Sequence, residues 1–475
     1  MQRYAPDDHE RPAPSQTENT VHAQRGCPGF GSVERQSAMD TPISMLESPA
    51  HSRPVPQQQV THILIINVHS ALNLGDDAIM AATLQRIARV HPNRQVTVAA
   101  GDPDSWRKYD SIVVVPSLAH WGGDPAHGAW RKRLWLLPFQ LLMLVGVAIA
   151  FRRFHLRPRL GSGWLQQLLV AYYDADVVLS CGGGNFYAYR HFSPAFLWTT
   201  LSVAFALWLG KPVTMLPQSF GPIAGKLQRL FLAQVLNRVK ALFVRDECSL
   251  VFLQTALAGL RIRPHLLPDL AFGLEVTESG SAGLAAHSSP RIHLALTAID
   301  FQRQNPHFQL QAAYEDALVG AARRLADIHP IQVHVVAQCL GPSCDQDDRV
   351  VAARIHARLH EQQIAATLVT EIRDARDLVQ YYQFMAVVIG TRMHSGILAL
   401  TAGVPPVLIG YQPKTQGMME MVGMSKYVLA IDAISADQLA ARVEELLQDR
   451  QQLAHTIANR VSELRAQLDL LDRRL

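Results

Sequence analysis

Two Rossmann-like α/β domains facing a cleft, preceded by a disordered extension, are the architecture this sequence predicts. Three observations lead there. From residue 60 onward, short continuous apolar runs alternate with segments of helical spacing. The alternation breaks at "ESGSAGLAAHSSPR" (278–291), a small and polar stretch, and then restarts. Residues 1–59 are rich in Pro, Gln, Ser, His and charge, with no apolar segment of signal-peptide type. Short apolar strands separated by helices are the mark of a parallel sheet covered on both faces.

In chain order, the first half offers strands at 60–68, 95–100, 111–115, 175–181, 212–217 and 241–244, with a helix at 76–90 after the first. After the linker come a strand at 291–298, a helix near 311–328 and a strand at 331–338. A helix near 348–361, a strand at 366–372 and a helix at 375–384 follow. The run closes with a strand at 385–390, a helix at 394–402 and a strand at 406–411. The expected domains are therefore 60–277 and 292–433, with a terminal helix over 434–475. A length of 475 residues accommodates two to three domains of about 150 residues each.

Composition excludes several classes of function. A net charge of +4 is small for this length, and no basic tail or nucleic-acid motif is present, so no nucleic-acid partner is expected. The five cysteines, at 27, 181, 248, 339 and 344, include no Cys-x-x-Cys pair. That argues against a disulfide framework and against a zinc site, and for a reducing cytoplasm. No metal and no cofactor are expected.

One segment departs from the α/β rhythm. "LWLLPFQLLMLVGVAIAF" (134–151) is about as long as a membrane span. Arg131, Lys132 and Arg133 precede it, Arg152, Arg153, Arg157 and Arg159 follow it, and no acidic residue occurs between Asp124 and Asp174. A single span would separate strands of one sheet across a bilayer. A core helix and an interfacial helix resting on anionic lipid, within a basic-flanked region 131–159, are the two main readings.

Parallel sheets bind ligands beyond the carboxyl ends of their strands, so chemistry is sought there. Asn73 and Gly75 follow the first strand, with Asp76 or Asp77 as candidate helix caps. Gly182-Gly183-Gly184-Asn185 follows another strand and lets backbone N–H groups approach a ligand. It lacks the Gly-x-Gly-x-x-Gly spacing of a dinucleotide site and the lysine of a P-loop, which disfavours NAD and ATP. Gln218 and Ser219, then Arg245 and Asp246, then Asp269 close further apolar runs. Arg245 either pairs with Asp246 or Glu247 on the surface or clamps a carboxylate or phosphate. The sharpest feature is "GTRMHSG" (390–396), where an apolar strand ends in Arg392 and His394 just before an apolar helix. A helix start attracts anions, a guanidinium adds a planar fork of donors, and imidazole is the side chain suited to proton transfer near neutral pH.

Together these stretches resemble the polysaccharide pyruvyl transferase family. The resemblance rests on Asn73-Leu74-Gly75-Asp76-Asp77-Ala78, Gly182-Gly183-Gly184-Asn185, Pro217-Gln218-Ser219-Phe220-Gly221-Pro222, Val244-Arg245-Asp246, Pro268-Asp269, and Arg392-Met393-His394 followed by "GILALTAGVPPVLIGYQPK". Residues 1–59 and much of 120–170 fall outside it. Met393 is a mild departure from the family's frequent Arg-Leu-His and stands where the backbone is the expected contact.

The resemblance implies a GT-B-like fold and transfer of the enolpyruvyl unit of phosphoenolpyruvate to two hydroxyls of a sugar. Such acceptors include an exopolysaccharide or its polyprenyl diphosphate-linked repeat unit, which places the protein in the cytoplasm, at the inner membrane face where the acceptor is lipid-linked. Arg392, Met393, Arg245, Gly183, Gly184 and Gln218 are the candidate donor contacts, and Asn73, Asp77 and Asn185 the candidate acceptor contacts. His394 is the candidate general acid/base. Asp76, Asp77 and Asp269 stay open as groups that orient or deprotonate the acceptor, with Asp76 and Asp269 placed among the catalytic candidates. Two rivals stand beside this reading: a nucleotide-sugar glycosyltransferase and a non-catalytic sugar-binding subunit. The former usually carries carboxylates near the nucleotide ribose, and none occurs between Asp377 and Glu420.

Overall fold

The computed structural model of the protein describes residues 61–122, 134–161, 163–276 and 291–474. The extension 1–59, the basic residues 131–133 and positions 278–290 of the expected linker lie outside the described residues. The first domain runs β1 (His62–Val68), α1 (Leu74–Val90), β2 (Gln95–Ala100), β3 (Ile112–Pro116), α2 (Leu137–Phe154), α3 (Trp164–Asp174) and β4 (Val177–Ser180). It continues with β5 (Gly183–Ala188), α4 (Pro194–Trp208), β6 (Val213–Ile223), α5 (Lys226–Leu236), β7 (Ala241–Val244), α6 (Glu247–Ala256) and β8 (His265–Leu266). Its strands are all parallel, in the order β3-β2-β1-β4-β6-β7-β8, with β5 paired to β6.

The second domain contains β9 (Ile292–Leu296), α7 (Gln311–Ile328), β10 (Ile331–Val336), α8 (Arg349–Glu361), β11 (Ala366–Val369) and α9 (Ala375–Tyr382). After these come β12 (Val387–Gly390), α10 (Met393–Thr401), β13 (Pro406–Gly410), α11 (Pro413–Met421) and β14 (Val428–Ala430). The order β11-β10-β9-β12-β13-β14 is that of a doubly wound sheet. Strand order reverses beside β1/β4 in one sheet and β9/β12 in the other, and each reversal opens a crevice at the strands' carboxyl ends. The expected single terminal helix is two helices, α12 (Ala436–Gln448) and α13 (Arg450–Asp472), which meet at Asp449.

The two domains are stitched at the strand ends. Leu74 N donates to Gln338 O (3.2 Å), and Leu340 N donates to Leu72 O (2.7 Å). Helix α13 returns to the first domain, where Arg86 Nη1 donates to Leu468 O (2.9 Å) and Asp472 Oδ1 (2.7 Å), and Arg465 Nε donates to Phe272 O (2.9 Å). One continuous apolar core runs from Ala78 and Ile79 of α1 through Leu270 and Phe272 into the second sheet and Leu468. A separate core on the other face of the first sheet contains Tyr172, Phe205 and Leu144.

Two local expectations are corrected. The cap of α1 is Asn73, whose Oδ1 accepts from Gly75 N (3.1 Å), and not Asp76 or Asp77. Gly183 and Gly184 open β5, which pairs with β6 from Gly183 opposite Gln218. The core-helix reading of 134–151 fails: only 22% of α2 is buried, with Gln140, Leu144, Val147 and Ala148 facing inward. Pro138 sits in the first turn, where its missing N–H costs no hydrogen bond. Strands β3 and β4, before and after α2, belong to one sheet, so both ends of α2 lie on one side of any bilayer.

Asp77, expected among the acceptor contacts, is a structural residue. It is fully buried, its Oδ1 accepts from Tyr109 Oη (2.8 Å) and lies 2.8 Å from Lys108 Nζ, and its Oδ2 accepts from Ala375 N (2.8 Å) at the start of α9. Both oxygens are thus consumed, one of them across the domain boundary. Asp77→Ala should lower the free energy of unfolding by about 2–3 kcal/mol, the loss expected when hydrogen bonds to a buried charge go unmade. A denaturant midpoint unchanged from wild type would contradict this role.

Candidate active site

Both sheets deliver polar side chains to the same boundary. In the first domain β7 ends at Arg245, whose N donates to Gln218 O (3.2 Å). Its buried guanidinium donates from Nε to Ser219 Oγ (2.8 Å) and from Nη1 to Asp269 Oδ2 (2.6 Å). Arg245 therefore does not pair with Asp246 on the surface. Asp246 instead accepts from Ser219 Oγ (2.5 Å) and caps α6 by accepting from Ser249 N (2.7 Å). Ser219 thus holds the arginine and the cap in one network, and the Nη2 edge of Arg245 remains on the side of Gly184.

Asp269 follows β8 and accepts a second bond from Ala271 N (2.9 Å). Burial alone would raise its pKa, but the Arg245 guanidinium and then His394 hold it well below the usual carboxylate range. A carboxylate so strongly ionised is a poor general base near neutral pH. Asp269 is better suited to orienting its two neighbours. His394 comes from the second domain, on the first turn of α10, with Nε2 3.5 Å from Asp269 Oδ2. Its Nδ1 faces Gly75: a Cβ at residue 75 would sit 2.3 Å from that nitrogen, so only glycine admits the ring. The imidazole thus lies between an anion of the first domain and the start of α1, with no hydrogen bond formed at Nε2.

Arg392 carries an internal partner that the sequence pattern did not reveal. It caps α10 by position, with extended backbone, and its Nε and Nη2 grip Asp348 Oδ2 and Oδ1 at 2.7 Å each. Burial would lower its pKa, but Asp348 raises it, so the arginine is a permanent cation. Asp348 is itself fixed by Cys339 N (2.9 Å). The side chain of Arg392 stays 17% exposed, so the ion pair orients the fork without sealing it. Met393 packs its side chain into the core.

Lys414, absent from the sequence-based set although it ends the quoted "GYQPK", is the main addition. It lies in the first turn of α11 and within electrostatic reach of Arg245, Asp246, Asp76 and Asp269. Burial and the charge of Arg245 lower its pKa to about 8 against the pull of those carboxylates. A lysine at a helix start just past a strand end was the available signal. Its neighbours come from the other domain, so the sequence could not show them.

The remaining candidates divide. Gln218 is fully buried, and neither its Oε1 nor its Nε2 has a hydrogen-bond partner within the protein. Gln338 also has an unpartnered Nε2, while its Oε1 accepts from Ser395 Oγ (2.7 Å). Gly183 has φ +132°, a conformation that glycine tolerates, and Gly184 lies over Arg245. Asp76 accepts from Asn73 Nδ2 (3.3 Å) and remains near Lys414. Asn185 is drawn away from a free acceptor role by donating to Asn67 O (2.9 Å), and Asn73 is engaged as a cap.

A concavity of about 560 Å³ lies elsewhere in the second domain, lined by Arg303, Arg354, Arg358 and acidic groups. Its charges answer one another: Arg354 Nη2 donates to Glu315 (2.6 Å) and Asp300 (3.0 Å), and Arg358 to Asp316 (2.5 Å). It offers an anion little uncompensated charge. Among the described residues there is no cluster of three or more His, Cys, Asp or Glu that could hold a metal, and Cys181, Cys339 and Cys344 are in no disulfide.

Comparison with known proteins adds family and fold. The family model described as polysaccharide pyruvyl transferase matches residues 73–413. The chain is 23% identical over 423 residues to the amylovoran biosynthesis protein AmsJ of Erwinia amylovora, spanning 85% of this chain and 96% of that one. Among solved structures, it is similar to a protein described as a UDP-N-acetylglucosamine 2-epimerase of Listeria monocytogenes. The TM-score is 0.52 at 11% identity, over 84% of this chain and 91% of that one. It is also similar to a glycosyltransferase of Rickettsia africae, with a TM-score of 0.50 at 12% identity, over 87% and 96% of the two chains. At such identities the structural likeness speaks for the two-domain GT-B fold alone.

Proposed function

This chain belongs to the polysaccharide pyruvyl transferase family, and from that premise we propose that it moves the enolpyruvyl unit of phosphoenolpyruvate onto two hydroxyls of a saccharide. The products are a pyruvate ketal and inorganic phosphate. The observation that carries the reading is one histidine, His394, 3.5 Å from Asp269, with Arg245 bonded to the same carboxylate and Lys414 within electrostatic reach of both Arg245 and Asp269. The AmsJ relative is named for the biosynthesis of amylovoran, which supports a polysaccharide or its precursor as acceptor.

The chemistry fits these groups. An acid delivers a proton to the methylene carbon of the donor, and positive charge develops at the adjacent carbon. One sugar hydroxyl adds there, the bond to the phosphate oxygen breaks with its electron pair, and a second hydroxyl adds to the cation that results. One hydroxyl proton replaces the proton the acid gave, and the other leaves with phosphate. His394 is assigned as that acid and, in turn, as the base. Asp269 is assigned to orient the imidazole, as an ionised partner does in hydrolase triads. Arg245 and Lys414 are assigned to the anionic groups of the donor, with Gln218 and the Gly183–Gly184 backbone as further donor contacts. Arg392 contributes a second guanidinium, preset by Asp348. Asp76 is the remaining carboxylate near Lys414 and is assigned to the acceptor side.

Purified protein incubated with phosphoenolpyruvate and saccharide acceptors should release phosphate and add one pyruvate ketal to the acceptor. His394→Gln should lower turnover by about 10²–10⁴-fold with its melting temperature preserved. Near-wild-type turnover in that variant, or consumption of a nucleotide sugar in place of phosphoenolpyruvate, would overturn the assignment.

Lys414 gives the pH dependence a sign. Its ammonium is needed to hold the donor, and in the free protein it loses its proton near pH 8. The kcat/KM, which reports free-enzyme groups, should therefore fall by about tenfold per pH unit on the alkaline side of pH 8. Lys414→Met should be slow but lack that alkaline limb; an unchanged limb in the variant would exclude Lys414 as its source.

A further inference from the structure

The outer face of α2 is apolar where a surface helix is ordinarily polar. Phe139 (66% exposed), Leu142 (70%) and Ile149 (54%) recur at helical spacing along it, and Trp135 (76%) stands in the short turn Leu134–Leu136 just before it, while Gln140, Leu144, Val147 and Ala148 face the protein. The helix packs on α4 through that inward side, so the domain is complete without any partner for the outward one. We propose that this face docks onto an anionic lipid bilayer, with α2 lying in the plane of the headgroups.

Charge selects the occupant. Arg152 and Arg153 end the helix and Arg157 and Arg159 follow it, while Arg131, Lys132 and Arg133 precede it in the sequence. The stretch 125–173 has no Asp or Glu. Beside the carboxyl end of α2, a concavity of about 470 Å³ is lined by Arg152, Lys211, Arg238 and Trp208, a set suited to a lipid phosphate. Lys211 is held in place by donating to Tyr173 O (2.8 Å), with its ammonium over the Phe151 ring. Trp135 and Trp208, one toward each end of α2, are the aromatic type that settles at the headgroup boundary.

A second copy of the chain is a poorer occupant. Arginines cluster at the carboxyl end of α2 and the helix carries no acidic residue, so a second copy offers this face no charge to answer them. Residues 1–59, rich in Pro, Gln and Ser, carry no apolar segment to match the stripe. A span is excluded, because strands before and after α2 share one sheet. What remains is an amphipathic helix with basic flanks, the chemistry of an in-plane anchor. This docking does not rest on the reaction proposed above.

The test is flotation of the full-length protein with phosphatidylcholine vesicles, with and without phosphatidylglycerol. Wild type should float with the anionic vesicles, and less so as salt rises. Phe139→Ser/Leu142→Ser/Ile149→Ser and, separately, Arg152→Gln/Arg153→Gln should each weaken binding about tenfold or more. Both should keep the wild-type melting temperature and phosphate release on a water-soluble acceptor, since no altered residue lies in the catalytic set. Absence of wild-type flotation, or equal flotation of the triple variant, would overturn the proposal. So would a wild-type dimer that the triple variant dissolves while vesicle binding is absent.

Discussion

Asp269 is the carboxylate on which the site depends. One of its oxygens is shared between Arg245 of its own domain at 2.6 Å and His394 of the other domain at 3.5 Å. A buried carboxylate is tolerable because the guanidinium beside it is equally buried and further tied to Ser219, while the second oxygen takes the Ala271 N–H. The same charge that keeps Arg245 in place gives the histidine its orientation. Neither domain alone supplies all three groups.

The seam between the domains is densely bonded. Backbone bonds at Leu72, Leu74, Gln338 and Leu340 tie the loop after β1 to the loop after β10, and Asp77 reaches across to the start of α9. The return of α13 to Arg86 and Phe272 closes the joint from behind. With the seam so fixed, Gly75 can approach the imidazole closely enough that no side chain fits between them. Preorganisation of this kind removes reorganisation cost from the chemical step.

Much of this was legible in the sequence because parallel strands are short, apolar and bounded. Strand β2 and helix α7 have the bounds the pattern predicts, and Arg245, Asp269 and His394 stand at strand ends where ligands are expected. Other parts depend on contacts that no local pattern encodes. Asp348 lies 44 residues from Arg392, so their ion pair leaves no periodicity to read. Asp77 stands among the candidate acceptor contacts, yet on a helix adjacent residues face different directions, and of Asp76 and Asp77 only Asp76 lies near Lys414. The low pKa of Lys414 is created by burial and by Arg245 from the opposite domain. The apolar run of α2 was visible at once, but which side of it would be left uncovered was a question of tertiary packing.

The most direct test of the central claim, that a proton is delivered to the methylene carbon of phosphoenolpyruvate at the interdomain site, is to run the reaction in D₂O and examine the ketal methyl group by NMR. The account predicts at least one solvent deuterium in that methyl, formed together with phosphate and lost with His394→Gln. A ketal methyl free of deuterium, or phosphate release with no ketal formed, would contradict it.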